Sequence, residues 1–243
     1  MKTSARGVTL IEVLIAVSLL SILSVGLLMA LRVGLNALDK VNLKVTANRR
    51  AVAVQQILRS EIGGFMPVAA GCPVGPDQPL RKFPFFDGRS QSMRFVSSYS
   101  LEQAARGEPR VIEFQVIPGD QGRGVRLVVN EFLYTGPETL GEVCIGMGPD
   151  PATGKMVARF APIRVGPGSF VLADKLAYCR FSYRRSLPPP MLERWDVNWS
   201  SDNWPTAVHI DMAMLDPDPS RVPLVNATVP IRVNRQFNVP YTD

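Results

Sequence analysis

The stretch Gly7-Val8-Thr9-Leu10-Ile11-Glu12-Val13-Leu14-Ile15-Ala16 opens a long apolar segment, and the reading of its single acidic residue decides the fold. Residues 13–31 hold neither a charge nor a proline. As a helix rising ~1.5 Å per residue they span about 28 Å, which matches a hydrocarbon core of ~30 Å. A secretory signal has a shorter apolar region followed by a small-residue cleavage site. Here the apolar run continues into a further helical pattern instead. A charged side chain at the centre of a membrane helix costs on the order of 2.5–3.5 kcal/mol. Glu12 stands near the helix end, where the cost is lower but a partner is still required.

Before this segment lies a short leader with Lys2 and Arg6 and no acid, which the positive-inside rule keeps cytoplasmic. Arg32, Lys40, Lys44, Arg49 and Arg50 follow the span, so charge asymmetry alone does not set the orientation. No proline occurs from residue 8 to residue 66. Leu38, Val41, Val45 and Val52 fall on one helical face, and Val54, Leu58 and Ile62 share another. Both stripes read as scaffold packing. Gly63-Gly64 ends the pattern. A continuous helix over 8–62 would be ~80 Å long.

Residues 63–92 are rich in proline and glycine and read as an extended loop. Residues 93–243 read as β-rich, with runs at 93–98, 111–117, 125–134, 156–165, 176–184, 207–214 and 228–233. Turn signals such as Pro118-Gly119-Asp120 and Pro188-Pro189-Pro190 separate them, and Pro230 marks the last run as an edge strand. One long helix followed by strands, with no further helix, predicts an α+β fold with antiparallel sheet.

The chain has 243 residues, 46% hydrophobic and 20% charged, enough for one domain with a real core and no obligatory metal or disulfide framework. Its net charge of +6 is scattered among acids, without the basic stripe that nucleic-acid binding requires. Cys72, Cys144 and Cys179 lie far apart with no CxxC spacing, which argues against zinc. An extracytoplasmic domain would allow one oxidised pair. The spacing does not say which, and buried reduced thiols are an equal reading. His209 is the one histidine and has no second ligand nearby in sequence. Asp216-Pro217-Asp218-Pro219 lacks the ligand density of a calcium loop and reads as a surface turn. No phosphate loop or nucleophile motif is present, so no catalytic residue, metal or cofactor is expected. Trp195, Trp199 and Trp204 read either as a partner-binding surface or as cover for the core.

Residues 7–16 closely resemble the class IV prepilin motif, which in that family usually reads GFTLIEVLIA; Val8 stands where the family has phenylalanine. The resemblance implies a leader of residues 1–7, cut between Gly7 and Val8 by a membrane aspartyl prepilin peptidase. That enzyme also methylates the new amine of Val8. Glycine at the cut leaves the backbone open to the peptidase. The resemblance further implies that residues 8–31 serve as membrane and fibre-core helix. Residues 32–62 then continue that helix into the periplasm, and Glu12 pairs with the N-terminal amine of a neighbouring subunit. A buried charge is tolerable only when so paired.

A looser pattern lies in the C-terminal half: Leu176-Ala177-Tyr178-Cys179-Arg180-Phe181-Ser182-Tyr183, then Trp195, Trp204-Pro205-Thr206-Ala207-Val208-His209-Ile210, and Val229-Pro230-Ile231-Arg232. It is similar to the J-type minor pseudopilins of type II secretion. That resemblance implies a pilin-like fold with two sheets on the helix and a non-enzymatic assembly role. It also implies a single pass through the inner membrane with the C-terminal domain periplasmic. The implied partners are the prepilin peptidase, the I-, K- and H-type minor pseudopilins and the major pseudopilin. A minor pilin of a type IV pilus shares every N-terminal feature and is the rival reading. A membrane-anchored enzyme or sensor would require a convergent polar pocket, for which the sequence offers no candidate set.

Overall fold

Most of the proline-free run forms a single helix in the computed structural model, α1 (Leu10–Gly63). The structure describes residues 9–74, 80–150, 154, 156–201, 203–216 and 226–233. By its contacts the chain divides into two units, Met1–Arg49 and Arg50–Asp243.

In the first unit, Thr9 starts the helix, its carbonyl accepting from the amides of Glu12 at 3.1 Å and Val13 at 3.3 Å. Glu12 sits in the first turn, where the helix dipole favours a negative charge. The hydroxyls of Ser18, Ser21 and Ser24 donate to the carbonyls of Ile15, Val17 and Leu20 at 2.9, 2.8 and 2.8 Å. Such pairing within the helix is what a lipid environment demands of polar groups.

The second unit holds the end of α1 and all the strands. In chain order these are β1 (Phe65–Met66), β2 (Ala69–Cys72), β3 (Arg81–Pro84), β4 (Asp87–Arg89), β5 (Ser92–Ser100), β6 (Ala105–Pro118) and β7 (Val125–Leu133). After a one-turn helix, α2 (Pro137–Gly141), come β8 (Cys144–Pro149), β9 (Met156–Phe160), β10 (Phe170–Ser186), β11 (Glu193–Asp196), β12 (Ala207–Met214) and β13 (Asn226–Pro230). Nine of them form an antiparallel sheet along the path β1-β5-β6-β7-β10-β12-β13, with β4 on β5 and β11 on β10. Two ribbons, β2-β3 and β8-β9, stand apart from it. The expected α+β architecture with antiparallel sheet is therefore present, and β13, with Pro230, is an edge strand.

Alternation within β5 and β6 explains the layering. Met93, Phe95, Ile112 and Phe114 face a core that includes Ala51, Val54, Leu58 and Ile62 of α1. Their neighbours Val96 and Val111 face the other way, into a second cluster with Ala70, Phe85, Leu140 and Phe160. A fully buried Leu or Ile contributes roughly 1.5–3 kcal/mol, so Leu58 and Ile62, each almost wholly covered, hold the last turns of α1 to the sheet. β5 also finishes the helix chemically. Ser97 Oγ donates to the carbonyl of Glu61 at 2.9 Å, and the Ser98 amide to that of Gly64 at 2.7 Å. These satisfy carbonyls that a helix end leaves open.

Three expectations need correction. Residues 63–92 are not one extended loop: β1 to β4 lie there, short strands whose proline-rich flanks conceal their alternation. The chain also has a second helix, α2. The stripe of Leu38, Val41, Val45 and Val52 is not core packing, since all four are exposed, Leu38 by 60%. Burial on α1 begins only at Ala51.

At the heart of the main core, Tyr183 is fully buried and its hydroxyl donates to the carbonyls of Arg89 at 2.8 Å and Ser92 at 3.2 Å. A Cβ on Gly88 would lie 2.7 Å from the rings of both Tyr183 and Phe86, so only glycine fits. Cys72 of β2 and Cys144 of β8 form a disulfide, Cα to Cα 5.7 Å, across 72 residues of sequence. It joins the two ribbons that cover the second cluster. Replacing both cysteines by serine is expected to lower unfolding stability by about 2–5 kcal/mol, read as a reduced denaturant midpoint, with the wild-type chain behaving likewise once reduced.

Candidate functional site

The residues that the sequence marks as functional do not converge on one pocket. Glu12 lies on an exposed first turn. Gly7 and Val8, where processing is expected, lie outside the described residues, as do residues 217–219 of the Asp-Pro turn. α1 is long and apolar enough to cross a membrane, and among the described residues its most apolar stretch is exposed.

The three tryptophans separate. Trp204 is buried in the main core. Trp199 packs edge-on against Phe86 and Tyr183, with its ring nitrogen donating to the Asn203 carbonyl at 2.9 Å. The Arg185 guanidinium lies 4.6 Å from its ring centroid. Trp195 is 40% exposed and meets His209 edge-on at 5.8 Å. Two of the three therefore cover the core, Trp199 only half-buried and bordering a cleft, while Trp195 is exposed. His209 is bound through Nδ1 to Thr228 Oγ1 at 3.0 Å. Among the described residues no group of three or more His, Cys, Asp or Glu side chains is placed to hold a metal ion. Cys179 remains a free thiol, and burial pushes it up to about 12, which keeps it protonated and unreactive.

Two charged groups that the sequence reading passed over are buried. Arg94 of β5 donates through Nε to Glu113 of β6 at 2.6 Å and through a terminal nitrogen to the Ala161 carbonyl at 3.1 Å. Its other terminal nitrogen has only Asp87, 3.9 Å away, and the guanidinium lies 5.9 Å from the centre of the Phe160 ring. Glu113 also accepts from Asn130 at 2.9 Å. Glu61, in the last turn of α1, has no such compensation. It is fully buried, and neither carboxylate oxygen has a hydrogen-bond partner. Nearby Glu131 of β7 takes the available donors: Ser100 Oγ at 2.6 Å, the Leu101 amide at 2.8 Å and Arg110 at 3.6 Å. Burial raises the Glu61 carboxyl from the usual 4.5 to about 8, the nearby Ser97 hydroxyl countering part of the rise and the Glu131 charge adding to it.

The second unit also carries a cleft of about 380 Å³, lined among others by Arg81, Lys82, Phe86, Met156, Phe160 and Trp199. With the geometry in view, the comparison with known families decides one thing. Residues 2–28 match the prokaryotic N-terminal methylation motif. That motif is the class IV prepilin type of N-terminus, and the apolar start of α1 falls within it. No curated protein matches the chain, and no solved structure does. The motif stops well short of the sheet, and nothing in it concerns the cleft or Glu61.

Faint signals for the two buried charges exist in the sequence. Arg94 interrupts the apolar run from Met93 to Val96, and Glu61 shares the face of Leu58 and Ile62. Because the folded-state pKa of Glu61 is raised, its share of stability is complete below about pH 4.5 and is lost as the pH climbs through 8. Glu61→Gln removes this loss. It is expected to stabilise the protein by on the order of 2 kcal/mol at pH 7.5 and to change little at pH 4, as measured by denaturant unfolding at the two pH values.

Proposed function

We propose that this protein is a minor pseudopilin of the type II secretion system, an assembly subunit with no catalytic role. The observation that carries the reading is the methylation motif at residues 2–28, heading a helix that runs from the apolar segment into a β-rich unit. Prepilin peptidase cuts between Gly7 and Val8 and methylates the new amine. The Val8 amine is then a cation close to an apolar phase, and Glu12 supplies a carboxylate for the amine of a neighbouring subunit. Until assembly the helix anchors the chain in the inner membrane, with the second unit in the periplasm. On extraction it joins the I-, K- and H-type minor pseudopilins and the major pseudopilin near the tip of a short periplasmic fibre. That fibre helps to move folded proteins through an outer-membrane channel.

The exposed stripe of Leu38, Val41 and Val45 supports this reading, because an apolar helix face that its own unit leaves open is free for neighbouring helices. Secretion is favoured over pilus assembly by the pattern at 176–183, 204–210 and 229–232. It falls in the middle of β10, at the entry to β12 and at the end of the closing strand β13. Co-purification with I- and K-type pseudopilins is the experiment that tests the choice. Recovery with pilus subunits alone would assign the chain to the pilus machine.

Two substitutions probe the processing itself. Gly7→Phe is expected to leave the full-length precursor on a gel-mobility assay, since a side chain at the cut obstructs the peptidase. Glu12→Ala is expected to be cut normally and yet to abolish co-assembly and secretion, because the amine of the adjacent subunit loses its partner. Unimpaired secretion by that variant would refute the pairing.

A further inference from the structure

The cleft of about 380 Å³ in the second unit has walls that the assembly role does not use. Two of them are strands with a free side. β3 pairs with β2 alone, and β9 pairs with β8 alone. Among the described residues the second edge of each strand carries no ladder, and both strands line the cleft. Unpaired strand edges offer amides and carbonyls to an added strand. In most proteins such edges are short and covered; here a pair of them borders one cavity.

The side chains give the cleft a chemical preference. Arg81 and Lys82 of β3 are exposed and form no ion pair among the described residues. The acid in the lining, Asp87, is held between Arg89 at 3.4 Å and Arg94 at 3.9 Å, so it does not neutralise them. Beside these cations stand Met147, Met156, Phe160 and Trp199. Thioethers adapt to varied apolar partners, and the rings supply flat contact area. The frame is firm. The Cys72–Cys144 disulfide ties the β2-β3 ribbon to the β8-β9 ribbon, and Phe160 meets Phe83 and Phe85 with ring centres 5.7 and 5.6 Å apart. A cavity held open by such cross-links loses little freedom when filled.

We infer that this cleft binds an extended acidic peptide segment, which adds as a strand along β3 and β9. Its carboxylates reach Arg81 and Lys82, and its alternate apolar side chains lie on Met156, Phe160 and Trp199. Main-chain bonds to the edges supply affinity, and the alternating side chains supply selectivity. The site goes beyond the assembly reading and does not rest on it, since every residue involved belongs to the second unit.

The test uses the full chain in non-ionic detergent micelles and a fluorescein-labelled heptapeptide of alternating glutamate and valine. A lysine–valine heptapeptide is the control, and fluorescence anisotropy the readout. The acidic peptide is expected to bind saturably and the basic one not to bind. The double variant Arg81→Glu, Lys82→Glu, both exposed positions, should weaken acidic-peptide binding roughly tenfold or more with an unchanged melting temperature. The acidic peptide N-methylated at its valines should also lose affinity, because it cannot complete a ladder. Equal binding of the two charge types, or indifference to the double variant, overturns the proposal. Undiminished binding of the N-methylated peptide reduces the cleft to an anion site and overturns it as well. Should the double variant misfold, the N-methylated probe against the unaltered chain decides alone.

Discussion

Strands β5 and β6 are apolar on both faces, and that places a demand on everything around them. One face carries Met93, Phe95, Ile112 and Phe114; the other carries Val96 and Val111. Leaving either face wet would forfeit roughly 25 cal/mol for each Å² of apolar surface. The end of α1 covers the first. The second needs a separate cover, and the chain builds it from short pieces: β2, β3, α2, β8 and β9. Ribbons of two strands are marginal by themselves. The disulfide between Cys72 and Cys144 therefore acts where the packing is thinnest, making one cover of two ribbons.

The same double burial explains the contrasting fates of the charged groups inside. Arg94 emerges on the second face, where Glu113 follows it one strand away in register, and the pair is joined at 2.6 Å. Burying such a pair is tolerable because each charge meets the other. Glu61 points from the helix into the first layer, where it has the Ser97 hydroxyl beside it but no cation, and where the nearby charge is another acid, Glu131. It avoids the penalty by holding its proton. One layer thus accommodates charge by pairing it, and the other by neutralising it.

How much of this was legible in the sequence follows from the length of each signal. α1 was readable from residue 10 onward because its cue is long: many apolar residues, no proline, and a double glycine at the end. β12 was readable because Ala207 to Met212 alternates cleanly over a strand buried on one side. β2, β3 and β4 were not. Each has three or four residues, and Pro67, Pro73 and Pro84 among them read as loop. Their strand character comes from the sheet they shield, which is tertiary information. The methylation motif was legible residue by residue, since its chemistry is local. The cleft was not, because its walls come from β3, β9 and Trp199, far apart in sequence and brought together only by the two ribbons. The disulfide pairing was open for the same reason.

The hydroxyls of Ser18, Ser21 and Ser24 each return to a carbonyl of their own helix. The partners of these donors thus belong to the same segment and travel with it. A helix so arranged can be drawn from one oily surrounding into another without breaking a hydrogen bond on the way out or seeking a new one on arrival. Glu12 is the exception in the apolar half: among the described residues no side-chain partner meets its charge. Any such transfer would leave the bonds of the shaft intact, and the one part of the segment that would tell two apolar surroundings apart is the charge near its tip.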